Sequence, residues 1–138
     1  MASPVTFRLR CFRGDGPYYV VRIFDTKEAM RQWATTQNPR QASWYRNAEA
    51  AVHAYRILRV VNGQRIKGNG WIVFHRHRLG AGIVSHELTH AAFYYLQLWR
   101  PQLFRRLQTS RAADECLAWV SGYLVNQFWV TWYKKEAT

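Results

Sequence analysis

Residues 81–99 read AGIVSHELTHAAFYYLQLW, and the spacing of their apolar side chains predicts an amphipathic helix that Pro101 ends. Inside it, His86 and His90 stand four residues apart, and Glu87 directly follows the first histidine. Residues i and i+4 share one helix face, so both imidazoles can point at a single ion. Glu87 is rotated by about 100° from His86 and can flank that ion, hold a bound water and accept its proton.

This HExxH arrangement supplies two zinc ligands and a general base from one rigid element, although two ordinary surface histidines give the same pattern. Catalytic zinc usually takes three protein ligands and a water. No histidine follows His90, and Leu96 stands where the metzincin pattern has its last histidine, which excludes that arrangement. The downstream acids, apart from Glu136 near the terminus, are Asp114 and Glu115.

Asp114 and Glu115 lie at the start of the last predicted helix, from which a carboxylate can reach across an antiparallel helix pair. We therefore predict zinc bound by His86, His90 and Glu115. Asp114 is the alternative third ligand, or a hydrogen-bond acceptor for an imidazole N–H. Compensation of the helix dipole explains the same acidic pair without any metal.

The HExxH stretch, followed by Glu115 on a second helix, resembles the gluzincin branch of the zincin metallopeptidases. The pattern from Glu115-x-x-Ala118 into GYLV is similar to the second helix of ImmA/IrrE-like peptidases, and the resemblance covers residues 71–125. It implies that both histidines and Glu115 bind zinc, and that Glu87 is the general base of a peptidase. The chain departs from the family at Trp119, where some gluzincins have an aspartate that holds a zinc-binding histidine.

The rest of the chain predicts strands and one helix first, and then helices. The first predicted elements are a hairpin of residues 5–13 and 17–24 around the turn RGDG, and a helix with Asp25 as its N-cap that ends at Asn38. A strand at 51–61, which ends in the turn dipeptide Asn62-Gly63, and a strand at 71–77 follow, with a glycine-punctuated loop GQRIKGNG between them. The last elements are a short helix at 102–107 and a long helix capped by Thr109 or Ser110 that runs to Tyr133. This order favours one α+β domain, residues 1–138, with a small mixed or antiparallel sheet packed on the HExxH helix and the long C-terminal helix. The resemblance implies a minimal zincin-like metallopeptidase domain.

Other side chains are candidates for oxyanion stabilisation opposite the base. Arg111 and Tyr123 share a helix face with Glu115, and Tyr94 stands one turn after the HExxH motif. Packing or simple exposure is the alternative interpretation for each of them.

A peptide substrate would pair as an extra strand on a sheet edge, for which Trp71–His75 is the candidate. An interior strand is the alternative. His75 and His77 share one strand face and could bind metal or form a basic strand end. His53 has no partner in sequence, which favours a structural role.

The formal net charge is +12, from 20 Lys and Arg against 8 Asp and Glu, which favours nucleic acid or an acidic protein as a partner. No Lys/Arg run exceeds two residues, so a soluble basic surface is the alternative. Cys11 and Cys116 make no disulfide framework and no CxxC pair. With no signal-peptide pattern and no membrane-length apolar run, we predict an intracellular, cytoplasmic chain without a membrane partner. Such a compact chain would suit a phage or mobile element.

Three functions compete on these grounds. The first is a zinc-dependent peptidase that acts on a protein or peptide. The second is a nucleic-acid-associated protein in which HExxH is structural or a relic, and the third is a pseudoenzyme that holds zinc or binds a partner. SprT-like proteases combine an HExxH helix with DNA binding, but their usual third ligand is a histidine, which is lacking after His90.

Overall fold

A mixed four-stranded sheet forms the centre of the computed structural model, which describes residues 3–12 and 16–137. The strands, in the spatial order β1-β2-β4-β3, are β1 (Val5–Arg10), β2 (Tyr18–Phe24), β3 (Ala50–Val61) and β4 (Gln64–His75). β2 and β4 pair in parallel, whereas β1 pairs antiparallel with β2 and β3 pairs antiparallel with β4. The predicted N-terminal hairpin and the α+β class are confirmed; most of the predicted RGDG turn lies outside the described residues.

Five α-helices surround the sheet in the described part of the chain: α1 (Lys27–Gln37), α2 (Ala42–Tyr45), α3 (Ala81–Trp99), α4 (Pro101–Arg105) and α5 (Arg111–Glu136). The side chain of Thr26 caps α1 by accepting a hydrogen bond from the Ala29 amide, one residue later than the predicted cap at Asp25. Ser110 caps α5 in the same way, as one of the two predicted alternatives. None of these helices is long and apolar enough to cross a bilayer.

Helices cover both faces of the sheet at β2, β3 and β4, because alternate residues of these strands enter different apolar clusters, whereas β1 contributes only to the larger cluster and its Thr6 and Arg8 are exposed. The larger cluster joins one sheet face to α3 and α5 through fully buried side chains such as Leu9, Tyr19, Phe74, Leu88, Leu124 and Phe128. The smaller cluster joins the other face to α1 and α2 through Met30, Ala34, Tyr45, Trp71 and Val73. The chain therefore covers both faces of the sheet at these three strands with only 138 residues.

β4 begins at Gln64, so the prediction of a glycine-punctuated loop before residue 71 was wrong. Gly68 and Gly70 instead lie inside the strand, where its pairing with both neighbours is irregular. Gly70 has φ +116, and a Cβ atom there would lie 2.0 Å from the carbonyl oxygen of His53 on β3. These glycines allow a close approach between strands, a role that glycine also takes outside loops.

Trp71–His75 lies inside the sheet, between β2 and β3, so its prediction as the substrate-binding edge was wrong. The reason is the parallel pairing of β2 with β4, two strands that are distant in sequence. β3 is the edge strand on this side of the sheet.

Phe128 joins the sheet to α5, and we expect Phe128→Ala to destabilise the fold severely. Its ring is fully buried and packs on Phe7 and Phe74, with centroid separations of 5.7 and 5.2 Å. Loss of such a side chain costs about 3–5 kcal/mol, through lost transfer free energy and the cavity left behind. Urea unfolding followed by circular dichroism measures this change.

Tyr133→Ala is the matched control, because Tyr133 lies on the same helix but is 66% exposed. We expect it to change the free energy of unfolding by no more than about 0.5 kcal/mol. Equal losses in both variants would contradict the position of Phe128 in the core.

Candidate metal centre and cleft

Helix α3 turns the HExxH side chains away from the core. Leu88 is fully buried, and His86 and His90, two residues before and after it, are each rotated by about 200° and are exposed. The Tyr19 hydroxyl donates a hydrogen bond to the Ala91 carbonyl at 2.7 Å, which ties α3 to β2. The apolar side of the helix thereby sets the direction of both imidazoles.

The two imidazoles converge on one point. The Nε2 atoms of His86 and His90 lie 3.2 Å apart, and the ring planes are nearly perpendicular at 84°. Two nitrogens bound to one tetrahedral zinc, at about 2.0–2.1 Å each, lie about 3.3 Å apart. The same separation suits a hydrogen bond between two neutral rings, one donating and one accepting. The separation of the two donor atoms therefore suits a shared zinc ion as well as it suits a hydrogen bond.

Glu87 is partly buried beside this pair. Burial raises the pKa of its carboxyl group above the usual range, and the neighbouring His86 opposes that shift. The pKa of His90 is lowered, first by loss of hydration and second by His86. A carboxyl group with a raised pKa is suited to proton transfer near neutral pH, and a neutral imidazole is the form that binds metal.

The motif opens into a cleft of about 810 Å³. Ala50–His53 of the edge strand β3 line it from the sheet side, and Arg40, Trp44 and Tyr45 contribute from α2 and the turn before it. An edge strand leaves half of its backbone N–H and C=O groups without a partner in the sheet. The cleft therefore combines the histidine pair, a carboxylate and free strand backbone.

His53 and Tyr94 also line this cleft. The Nδ1 atom of His53 lies 3.4 Å from the side-chain amide nitrogen of Asn38. Burial lowers the pKa of the His53 imidazole. Tyr94 stacks on His90 at an interplanar angle of 18°. No local pattern pointed to His53, because the pairing of β3 with β4 brings it to the cleft.

Glu115 does not lie with the histidine pair in this structure. It is exposed on α5, nine residues before the fully buried Leu124, which places it about 180° away around the helix. Asp114 accepts a hydrogen bond from the Gln108 amide at 3.1 Å and so closes the turn before α5. Within residues 3–12 and 16–137, no three His, Cys, Asp or Glu side chains are grouped closely enough to hold a metal ion.

The predicted oxyanion stabilisers on α5 do not line the cleft either. Arg111 is exposed at the start of the helix, and Tyr123 stacks on Trp119 with centroids 5.0 Å apart. Of the three candidates, only Tyr94 is placed beside the HExxH residues.

His75 and His77 do not converge on a common point. The His75 Nε2 atom lies 3.0 Å from a carboxylate oxygen of Glu49, and the rings of the two histidines are 6.5 Å apart. His77 belongs to a 3₁₀ turn that follows β4. This arrangement suits an ion-paired strand end better than a metal site.

Comparisons of the chain with protein-family profiles, with curated protein sequences and with solved structures find no match.

The convergent pair predicts metal binding that depends on both rings. After loading with zinc and desalting, we expect about one zinc per chain, lost in His86→Ala and in His90→Ala, since each removes one of two donors. Elemental analysis by mass spectrometry measures this. His77→Ala is the control, because it removes an imidazole outside the cleft. Zinc retention in both alanine variants would contradict the site.

Glu115→Ala distinguishes the zinc ligand predicted from the sequence from the exposed position that Glu115 has in the structure. From its exposed position we expect the parent zinc content and parent chelator resistance. Severe loss of zinc would instead mean that α5 places Glu115 differently when the metal is bound, as the resemblance to gluzincins implies. Asp114→Ala, in the same assay, measures the indirect contribution to zinc binding of the turn that Asp114 closes before α5.

Proposed function

We propose that the chain is a zinc-dependent peptidase with a zincin-like arrangement of α3 and the edge strand β3. The observation that carries this proposal is the convergence of the His86 and His90 Nε2 atoms at 3.2 Å, with Glu87 beside them, in a cleft that a strand edge lines. Zinc bound there would polarise a substrate carbonyl and lower the pKa of a bound water. Glu115, the third ligand predicted from the sequence, is exposed away from this pair, and its binding of zinc stays a prediction that the Glu115→Ala variant tests.

Glu87 has the chemistry of the general base. Its carboxylate accepts a proton from the attacking water and returns it to the leaving amine, and its raised pKa brings proton transfer closer to neutral pH. Tyr94, which lines the same cleft, is the candidate donor to the developing oxyanion. Both side chains lie on the same helix as the proposed metal ligands, which limits the conformational entropy that they lose when substrate binds.

The cleft favours an extended peptide as the substrate. A peptide that pairs with the outer edge of β3 at Ala50–His53 would run past the HExxH residues, because both features line one cleft. Backbone pairing supplies affinity that is independent of sequence, and side-chain contacts supply preference. Trp44, 70% exposed in the free protein, offers a large apolar surface to a substrate side chain.

A structural zinc site is the alternative, in a basic protein that binds nucleic acid or another partner. Structural zinc sites are usually closed by four protein ligands. Here only two donors converge among the described residues, and they face an open cleft. Open coordination positions favour chemistry over a purely structural role.

The test is Glu87→Gln. The amide keeps the shape of the side chain but accepts no proton, so we expect normal folding and zinc content with a cleavage rate lower by about 10² to 10⁴. The substrate pool is a peptide library prepared by digestion of a cell lysate, and mass spectrometry reads the new termini.

Glu28→Gln is the matched control, since it makes the same change on the exposed surface of α1. We expect the parent rate. Parent-like cleavage by the Glu87 variant would show that another group is the base, and the absence of cleavage by the zinc-loaded parent would favour the structural alternative.

A further inference from the structure

The β3–β4 hairpin extends beyond the rest of the sheet. β2 pairs with β4 only as far as Gly68, whereas residues 58–61 of β3 and 64–67 of β4 pair only with each other within the sheet. Asn62 and Gly63 form the turn with positive φ at both residues, as a tight hairpin requires. We call residues 58–67 the arm. At about 3.4 Å per residue, its four paired positions project about 14 Å.

The arm carries positive charge without acidic partners. Its sequence, LRVVNGQRIK, contains Arg59, Arg65 and Lys67 and no acid, and Arg56 lies just before it. No ion pair in the described residues involves any of these four side chains. Arg56 is instead held over the indole ring of Trp99, 4.5 Å from its centroid.

Two of these cations, Arg65 and Lys67, share one face of the arm with apolar side chains, and Arg59 lies on the opposite face, across the ladder from Ile66. Leu58 faces Lys67 and Val60 faces Arg65 across the ladder, and directly opposed residues in an antiparallel pair share a face. Leu58 is 54% exposed and Val60 67% exposed, which is unusual for branched side chains in a strand. The surface thus offers ionic contacts together with apolar ones.

The acids that form ion pairs lie at the other end of the sheet. Arg76, just after β4, bridges Asp25 and Glu136, and Glu49, just before β3, pairs with His75. Because β2 and β4 are parallel and β3 is antiparallel to them, these groups lie at the end opposite the arm. The ion-paired acids are therefore remote from the arm, and its cations stay open to an anionic partner.

We propose that the arm binds duplex DNA without sequence preference. A two-stranded ribbon of this kind fits the major groove, which is about 12 Å wide and about 8.5 Å deep. Arg59, Arg65 and Lys67 would contact phosphates, while Leu58 and Val60 would contact sugars, and neither kind of contact reads the base sequence. The arm continues the strand that lines the HExxH cleft, so bound DNA would lie next to that cleft.

Duplex DNA suits the arm better than other acidic partners. Single-strand binding depends on aromatic platforms for stacking, and residues 58–67 contain no aromatic side chain. In duplex RNA the major groove is too deep and narrow for side chains to read. An acidic protein lacks the regular ladder of phosphates that cations spaced along a ribbon can follow.

The experiment compares two variants that each lower the formal charge from +12 to +9. The arm variant is Arg59→Gln/Arg65→Gln/Lys67→Gln. The control variant is Lys27→Gln/Arg46→Gln/Lys134→Gln, three exposed cations that lie outside the arm and take part in no ion pair among the described residues. Fluorescence anisotropy with a labelled 30-base-pair duplex, from about 25 to about 200 mM salt, measures affinity and its salt dependence.

We expect the parent to bind with a salt slope that the arm variant reduces by about 2.7, since each lost phosphate contact changes the slope by about 0.9. At low salt the arm variant should bind more than about tenfold more weakly, and the control should bind within about threefold of the parent. Matching thermal unfolding curves for the three proteins show that the fold is intact. The zinc site is not involved, so metal-free protein gives the same ranking.

Four results would overturn the proposal. They are no binding of the parent at low salt, equal loss in both variants, tighter binding of the matching single strand than of the duplex, and displacement of the duplex by polyglutamate at equal charge concentration. The last result would identify an acidic protein as the partner. Light scattering without DNA completes the test: a parent dimer that the arm variant abolishes would assign the apolar side chains to a second copy of the chain.

Discussion

The rotation of α3 about its own axis is the constraint on which the candidate site depends. Leu88, Ala91 and Ala92 are fully buried, and the hydrogen bond from Tyr19 to the Ala91 carbonyl holds the same side of the helix against the sheet. Because the helix repeat is about 3.6 residues, this burial forces His86 and His90 outward on one common line. Packing energy in the core is therefore what aligns two polar side chains on the surface.

The edge strand β3 has two environments along its length. Its first residues, Ala50–His53, line the HExxH cleft, while its last four pair only with β4 in the projecting arm. A single strand thus connects the proposed catalytic cleft to the proposed DNA-binding surface. The close approach at Gly70, where a Cβ atom would meet the His53 carbonyl, holds the hairpin tightly at the boundary between them.

Glu115 has the sequence spacing expected of a third zinc ligand, but the fold places it away from the histidine pair. HExxH followed by a glutamate about 25 residues later is a convincing spacing, but spacing along the chain does not fix the rotation of the second helix. In α5, the buried stripe of Val120, Leu124 and Phe128 turns Glu115 towards solvent. The acidic residue next to it, Asp114, is held by the amide of Gln108 in the preceding turn.

The sequence by itself determined the features that depend on neighbours within a few residues. These are the N-terminal hairpin strands, a cap of α5 at Thr109 or Ser110, the turn at Asn62 and Gly63, and the common face of the two histidines. Such features follow from local hydrogen bonding and helix periodicity. Only the tertiary structure decided that β4 is interior, that β3 is the edge, that His53 reaches the cleft, and that Glu115 points away from it. Each of these depends on the parallel pairing of distant strands or on which helix side the core buries, and neither is encoded within any single segment.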